Sequence, residues 1–293
     1  MKKINLILIF LSIAAGCAMR VSPEKGSATK SLIIGTYGSP PRSPDGTILY
    51  DELISQLKDL HANMYDWLIM PDEKSFEQLK EFLPLAKKDS IEVWATIIPP
   101  TELEGKAMQY STNDMRTWAT QLAELSRTNS NFKAWCIDDF VHNLKIYTPQ
   151  YVSGFQQAAK KINPDFKFYP VCYYKFINQK FASDYGSLID GIVFPYRNES
   201  EKANLTDYSR VTDEISALRN YFGKCFPPVF LDVYSSRHST LGEPSPEFIS
   251  NVIHSGFLNA DGIIIYRHPD PKRDAEKYKT VKSGIEKGLA EKK

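Results

Sequence analysis

Short apolar runs alternate with segments of helical spacing over most of the chain. Eight runs stand out, and the first four are "SLIIGTYG" (31–38), "ANMYDWLIM" (62–70), "IEVWATIIPP" (91–100) and "FKAWCIDDF" (132–140). The other four are "FKFYPVCYY" (166–174), "IDGIVFPYR" (189–197), "PVFLDVYSS" (228–236) and "DGIIIYRH" (261–268). They are rich in β-branched and aromatic residues and nearly continuous in apolar character, as expected of parallel strands covered on both faces. Between them, apolar residues recur at three and four positions over Tyr50 to Leu60, Ser75 to Asp89, Asp114 to Thr128, Pro149 to Ile162 and Thr206 to Phe222. Pro246 to Gly256 and Arg273 to Leu289 behave in the same way. Strand and helix alternating across residues 31–293 predict a single (β/α)8 TIM barrel. A doubly wound open sheet is the competing arrangement, but "GTYGSPP" after the first run is not the glycine pattern of a dinucleotide site. No cofactor is expected.

The first thirty residues follow a different pattern. Lys2 and Lys3 precede the apolar run Ile4 to Ile13, and "AAGC" follows at Ala14 to Cys17. This has the shape of a secretory signal and is too short to span a bilayer as a helix. It resembles a bacterial lipoprotein signal. The resemblance implies cleavage after residue 16 and a lipid on Cys17, with Ala14 where such signals usually carry Leu. An ordinary signal peptide, in which Cys17 has no role, is the other reading. The polar stretch "AMRVSPEKGSATK" (18–30) then reads as part of a flexible tether over residues 17–30. These features predict a chain anchored in the bacterial cell envelope and facing the periplasm or the exterior.

Composition narrows the functional classes. The 293 residues include 36 basic and 35 acidic side chains, so no basic field invites nucleic acid. Cys136, Cys172 and Cys225 remain after the signal, an odd number with no CxxC or Cys/His spacing. Cys136 and Cys172 lie in apolar runs and are expected to be small core residues.

In a barrel of this kind the active site sits at the C-terminal ends of the strands. Those ends offer Tyr37, Asp138, Asp139, Tyr173, Tyr174, Tyr196, Arg197, Asp232, Tyr234, Tyr266, Arg267 and His268. Aromatic platforms beside carboxylates and basic donors suit sugar rings, whose apolar faces stack while their hydroxyls need polar partners. The tyrosines, Arg197, Arg267 and His268 are therefore candidate carbohydrate-binding residues. His142 and His238 fall on loops and are expected to be bystanders. "MPDEKS" (70–75) reads as a helix N-terminus.

The sharpest candidate is the pair Asp138 and Asp139. Adjacent strand residues face opposite ways, so only one of them can point along the barrel axis unless the chain is already leaving the sheet. Two neighbouring carboxyls resist joint ionisation, which separates a proton donor from a charged partner. Glycoside hydrolysis requires two such roles. "CIDDF" at the end of the fourth run resembles the catalytic aspartate pair of the O-GlcNAc hydrolase family of glycoside hydrolases. That resemblance implies that Asp138 orients a substrate 2-acetamido group and that Asp139 is the general acid and base. The chain is also similar to barrel glycosidases more widely, which would make Asp232 on the seventh strand a nucleophile, although those enzymes usually carry Glu at both positions. A purely structural role is open as well, with the pair capping the next helix or meeting Arg197 or Arg267. Asp138, Asp139, Asp232 and His268 could in principle converge on a metal, but no ligand motif supports one and none is expected. A barrel that binds carbohydrate without cleaving it, or an envelope scaffold, are the alternative functions.

Overall fold

In the computed structural model, residues 32–292 are described, apart from residue 73, residues 104–109 and residue 111. The expected signal (1–16), the tether (17–30) and Cys17 lie outside the described residues.

Eight parallel strands and eight α-helices alternate along the described residues. The strands are β1 (Ile33–Gly38), β2 (Met64–Ile69), β3 (Glu92–Ile97), β4 (Phe132–Ile137), β5 (Lys167–Phe168), β6 (Ile192–Pro195), β7 (Val229–Tyr234) and β8 (Gly262–Tyr266). The helices are α1 (Tyr50–Asp59), α2 (Ser75–Lys88), α3 (Met115–Thr128), α4 (Pro149–Ile162), α5 (Gln179–Tyr185), α6 (Val211–Phe222), α7 (Pro246–Asn259) and α8 (Ala275–Glu291). The sheet runs β5-β4-β3-β2-β1-β8-β7-β6. Its ends meet through a parallel bridge between Val171 and Val193, where Cys172 N donates to Val193 O at 2.9 Å and Val193 N to Pro170 O at 3.1 Å. Pro170 explains why β5 is so short, since it has no N–H to give to the ladder. The chain stays beside β4 all the same, with Tyr169 N and Val171 N each donating at 3.0 Å to Trp135 O and Ile137 O.

Helix starts follow the sequence closely. Asp114, Thr148 and Ser245 accept from the first-turn amides of α3, α4 and α7, and Pro149 and Pro246 occupy the first turns of the last two. At "MPDEKS" the Asp72 carboxylate accepts from Ser75 N at 2.6 Å, opening α2. One helix, α5, was not anticipated. It has seven residues and buries only Phe181, Ala182 and Tyr185, too little to show a helical period.

Strand alternation divides the apolar residues into two bodies. Outward residues such as Tyr65, Trp67, Trp135, Phe168, Phe194, Leu231 and Ile263 pack under the helices. Inward residues, among them Met64, Trp94, Ala134, Cys136, Tyr169, Val171, Phe230 and Ile264, fill the barrel axis. Trp94 lies 4.7 Å from both Tyr169 and Phe230, ring centre to ring centre, and Tyr169 lies 4.9 Å from Phe230. This aromatic layer closes the interior beneath the C-terminal mouth. Gly262 makes room for it, because a β-carbon there would come within 2.8 Å of the Ile33 carbonyl and 3.0 Å of Phe230. Cys136 and Cys172 are buried free thiols, as their apolar runs suggested. No helix among the described residues is long and apolar enough to cross a membrane.

Candidate active site

Above the aromatic layer, inward residues change from apolar to acidic. A cavity opens there, with Asp66, Thr96, Asp138 and Asp232 among its polar lining and Tyr37, Tyr173, Tyr234 and Tyr266 around it. Strand register explains the gathering. Asp66 pairs with Tyr37 across β1 and β2, Asp232 pairs with Ile264 across β7 and β8, and all four share the inward parity of their strands.

The Asp138–Asp139 pair is divided by the backbone. Asp138 N still donates to Ile97 O at 2.9 Å, so Asp138 is held on the ladder and its side chain follows Cys136 into the barrel. Asp139 then turns into the left-handed region at φ 45° and leaves the sheet, a conformation that Asp tolerates better than most residues. Asn143 Nδ2 pins this turn by donating to Asp139 O at 2.9 Å. Asp138 Oδ2 accepts from the Tyr37 hydroxyl at 3.2 Å, and its Oδ1 accepts from Asp139 N at 2.9 Å. The Asp139 carboxylate instead faces His142, with Nδ1 3.5 Å from Oδ1.

These surroundings drive the two carboxyls apart. Burial, then the neighbouring Asp139 charge, pushes Asp138 up to about 7, against the hydrogen bonds from Asp139 N and Tyr37. Burial also raises Asp139, but hydrogen bonds from His142 and Tyr173, with the charges of His142 and Arg197, outweigh it and hold Asp139 below the usual carboxyl range. Below them, burial pushes Asp66 up to about 7 even though Thr96 donates to it at 2.9 Å. Asp232 stands well above the ordinary value through burial and the charges of Asp138 and Asp66. Its Oδ1 is buried with no hydrogen-bond partner among the described residues.

An aromatic collar surrounds this acidic floor. Tyr266 lies 5.7 Å from Tyr37 and 4.8 Å from Tyr234, and His238 meets Tyr234 edge-on at 4.7 Å. On the other side His142 stacks on Tyr173 at 4.8 Å. The Arg197 guanidinium lies 3.9 Å above the same Tyr173 ring and forms an ion pair with Glu199. Arg267 is exposed at the lip, 5.7 Å from the Tyr266 ring.

Tyr37, Asp138, Asp139, Tyr173, Arg197, Asp232, Tyr234 and Tyr266 are therefore gathered at one mouth, with Arg267 at its edge. Three expected site residues lie elsewhere. Tyr196 is fully buried on the helix side, stacked on Phe248 and donating to Asp207 O at 2.9 Å. Tyr174 is turned away from the cavity and packs against the outer core. His268 sits between β1 and α1, with Nδ1 2.9 Å from Thr36 Oγ1 and Nε2 2.6 Å from Gln56 Oε1. Burial lowers its pKa to about 4, so it is a neutral packing residue. Asp66 and Thr96 were missed because they lie inside apolar runs, yet their even spacing from Met64 and Trp94 already placed them on the inward face. His142 and His238, both expected to be bystanders, are part of the collar.

No protein-family model matches the sequence, and no curated protein matches it. Solved structures do share its shape. A candidate alpha-L-fucosidase from Bacteroides thetaiotaomicron superposes with a TM-score of 0.59 at 10% identity, covering 90% of this chain and 99% of the other. A GH18 chitinase from Pseudoalteromonas aurantia gives 0.56 at 14% identity, covering 87% and 100%. A GH113 beta-1,4-mannanase gives 0.56 at 12% identity, covering 88% and 99%. At these identities the likeness establishes the architecture: the chain folds as a (β/α)8 barrel of the kind those glycoside hydrolases use.

Proposed function

We propose that the chain is a glycoside hydrolase whose proton donor is Asp138, acting on an oligosaccharide outside the cytoplasm. The observation that carries this reading is the division at the end of β4. Near neutral pH Asp138 is poised to hold a proton while adjacent Asp139 is ionised. Acid catalysis of glycosidic cleavage needs one carboxyl of each kind. In this reading a sugar ring lies against the tyrosine collar with its glycosidic oxygen at Asp138. Asp138 protonates the departing oxygen as the glycosidic bond breaks, and the Asp139 charge stabilises the positive charge that develops on the ring. Water then adds to the anomeric carbon and returns a proton to Asp138. This ordering exchanges the roles implied by the resemblance of "CIDDF" to the O-GlcNAc hydrolase pair, because Asp138 is the member facing the barrel axis. Asp232, whose pKa is raised well above the ordinary value by burial and the charges of Asp138 and Asp66, is a poor nucleophile in the free protein. The basic-then-apolar N-terminus ending in "AAGC" supports export and a lipid on Cys17.

Carbohydrate binding without cleavage is favoured by one observation: the void beside Asp138 is about 20 Å³, room for one or two water-sized groups. A ring resting on the tyrosine collar then sends only a substituent down to the carboxyls and keeps its glycosidic oxygen above them. Release of reducing sugar from an oligosaccharide panel, run beside calorimetry on the same panel, separates the readings. A sugar leaving group is essential, because an activated aryl group needs little protonation. Asp138→Asn should lower kcat/KM by about 10²–10⁴, and retention of activity within a few-fold would remove Asp138 from the donor role. Binding of a glycan with no turnover would favour the second reading.

A further inference from the structure

The floor of the cavity combines three features, and of the carboxyls involved the cleavage reading uses only Asp138. Asp232 is 5% exposed and lines the void, and its buried Oδ1 has no hydrogen-bond partner among the described residues. A buried carboxyl oxygen left unpaired is costly, so the missing donor is a property a ligand can supply. The carboxyls of Asp66 and Asp138 face the same space and their donors are neutral: the Thr96 hydroxyl and Cys136 thiol for Asp66, the Tyr37 hydroxyl and Asp139 amide for Asp138. Among the described residues no Lys, Arg or His lines the void, and the Arg197 guanidinium pairs with Glu199 and lies over the Tyr173 ring. Acidic groups are thus concentrated around a space that holds no positive charge of its own.

Size and walls say which cation fits. The void of about 20 Å³ matches an ammonium group, which is close to water in size. Tyrosine rings around the opening add π faces that favour a cation over a neutral group. We propose that this floor is an ammonium site and that the ligand it takes is a sugar bearing a free amino group. The inference rests on the carbohydrate reading above but not on cleavage. A hydroxyl in the same place donates one hydrogen bond and brings no charge. An acetamido group is larger than the void and would set its carbonyl oxygen against carboxyl oxygens. A uronate would be repelled. An ammonium group donates three hydrogen bonds and neutralises one carboxylate, leaving the proton of a neighbouring carboxyl in place. The raised pKa values of Asp66 and Asp232 agree with this, since both reflect carboxyls buried without a countercharge.

Titration calorimetry on the full chain tests the proposal with methylammonium and with glucosamine, galactosamine and mannosamine. Each amino sugar is compared with its hydroxyl and N-acetyl counterparts. At least one amino sugar should bind about tenfold or more tightly than both counterparts at neutral pH. At pH 6, where the amine is already charged, ionisation of a floor carboxyl should release up to one proton per amine bound, read from the dependence of the heat on buffer. Asp232→Asn should erase the preference, and Asp66→Asn provides a second variant should the first not fold. Absence of an amine preference in the parent, or a preference that survives both substitutions, overturns the site. Cleavage of neutral glycans without amine preference would sink this inference and leave the hydrolase reading intact. Amine binding without turnover on any glycan would do the reverse.

Discussion

Replacing Asp66 by Asn isolates the physical basis of the site, the burial of carboxyls at the barrel mouth. Asp66 is 2% exposed, and its pKa rises from the ordinary 3.8 to about 7. A carboxyl whose folded pKa is raised favours the folded state most below its unfolded value, and that advantage is lost as pH climbs toward the folded value. A shift of roughly 3 units is worth about 4 kcal/mol at ~1.36 kcal/mol per unit. Linkage places about 1–2 kcal/mol of this loss below pH 5 and the remaining ~2–3 kcal/mol between pH 5 and 8. Asn is nearly isosteric, still accepts from the Thr96 hydroxyl, and does not titrate. The variant should therefore gain about 2–3 kcal/mol on the parent between pH 5 and pH 8, whatever their difference at pH 5. Urea unfolding at pH 5, 6.5 and 8 measures this, with unchanged slopes ensuring that the midpoints report stability. If the difference between the two proteins does not vary with pH, Asp66 is not desolvated as described, and the argument for a protonated Asp138 weakens with it.

Three further outcomes follow from the same geometry. Tyr37→Phe removes the hydroxyl that donates to Asp138 at 3.2 Å; the ionised form loses a partner, so the alkaline limb of a glycosidase pH–rate profile should move to higher pH. Tyr196→Phe deletes the hydrogen bond to Asp207 O and should cost about 1 kcal/mol in stability, while kcat/KM stays within about twofold because the ring lies behind the sheet. Gly262→Ala places a β-carbon 2.8 Å from the Ile33 carbonyl, backbone that cannot yield cheaply. It should destabilise the barrel by about 1–3 kcal/mol in thermal or urea unfolding, and an unchanged midpoint would contradict the tight inner layer.

The barrel was legible in the residues because its two periodicities are local. Buried parallel strands impose near-continuous apolar runs, and surface helices impose a spacing of three and four, so eight strands and seven of the eight helices could be read without knowing any contact. Caps such as Asp114, Thr148 and Ser245 carried their own signal for the same reason. The exception, α5, is too short for a period to develop. At the site, strand ends marked the mouth tyrosines and the aspartate pair, but not which way each side chain would face. Tyr173 and Tyr174 are neighbours in the chain, yet one lines the cavity and the other the outer core. Tyr196 and His268 stand at strand ends like Tyr234 and Tyr266, but the sheet turns them toward α7 and α1 respectively. Asp66, hidden within "MYDWLI", becomes part of the site only when β1, β2 and β3 lie side by side. Protonation is the most non-local property of all. Asp138 and Asp139 are chemically identical in the sequence, and only the left-handed turn between strand and loop places one in a desolvated interior and the other beside His142. Periodicity along a chain reports the environment of each face, whereas a pKa sums burial and charge from elements far apart, and those distances exist only after the barrel has closed.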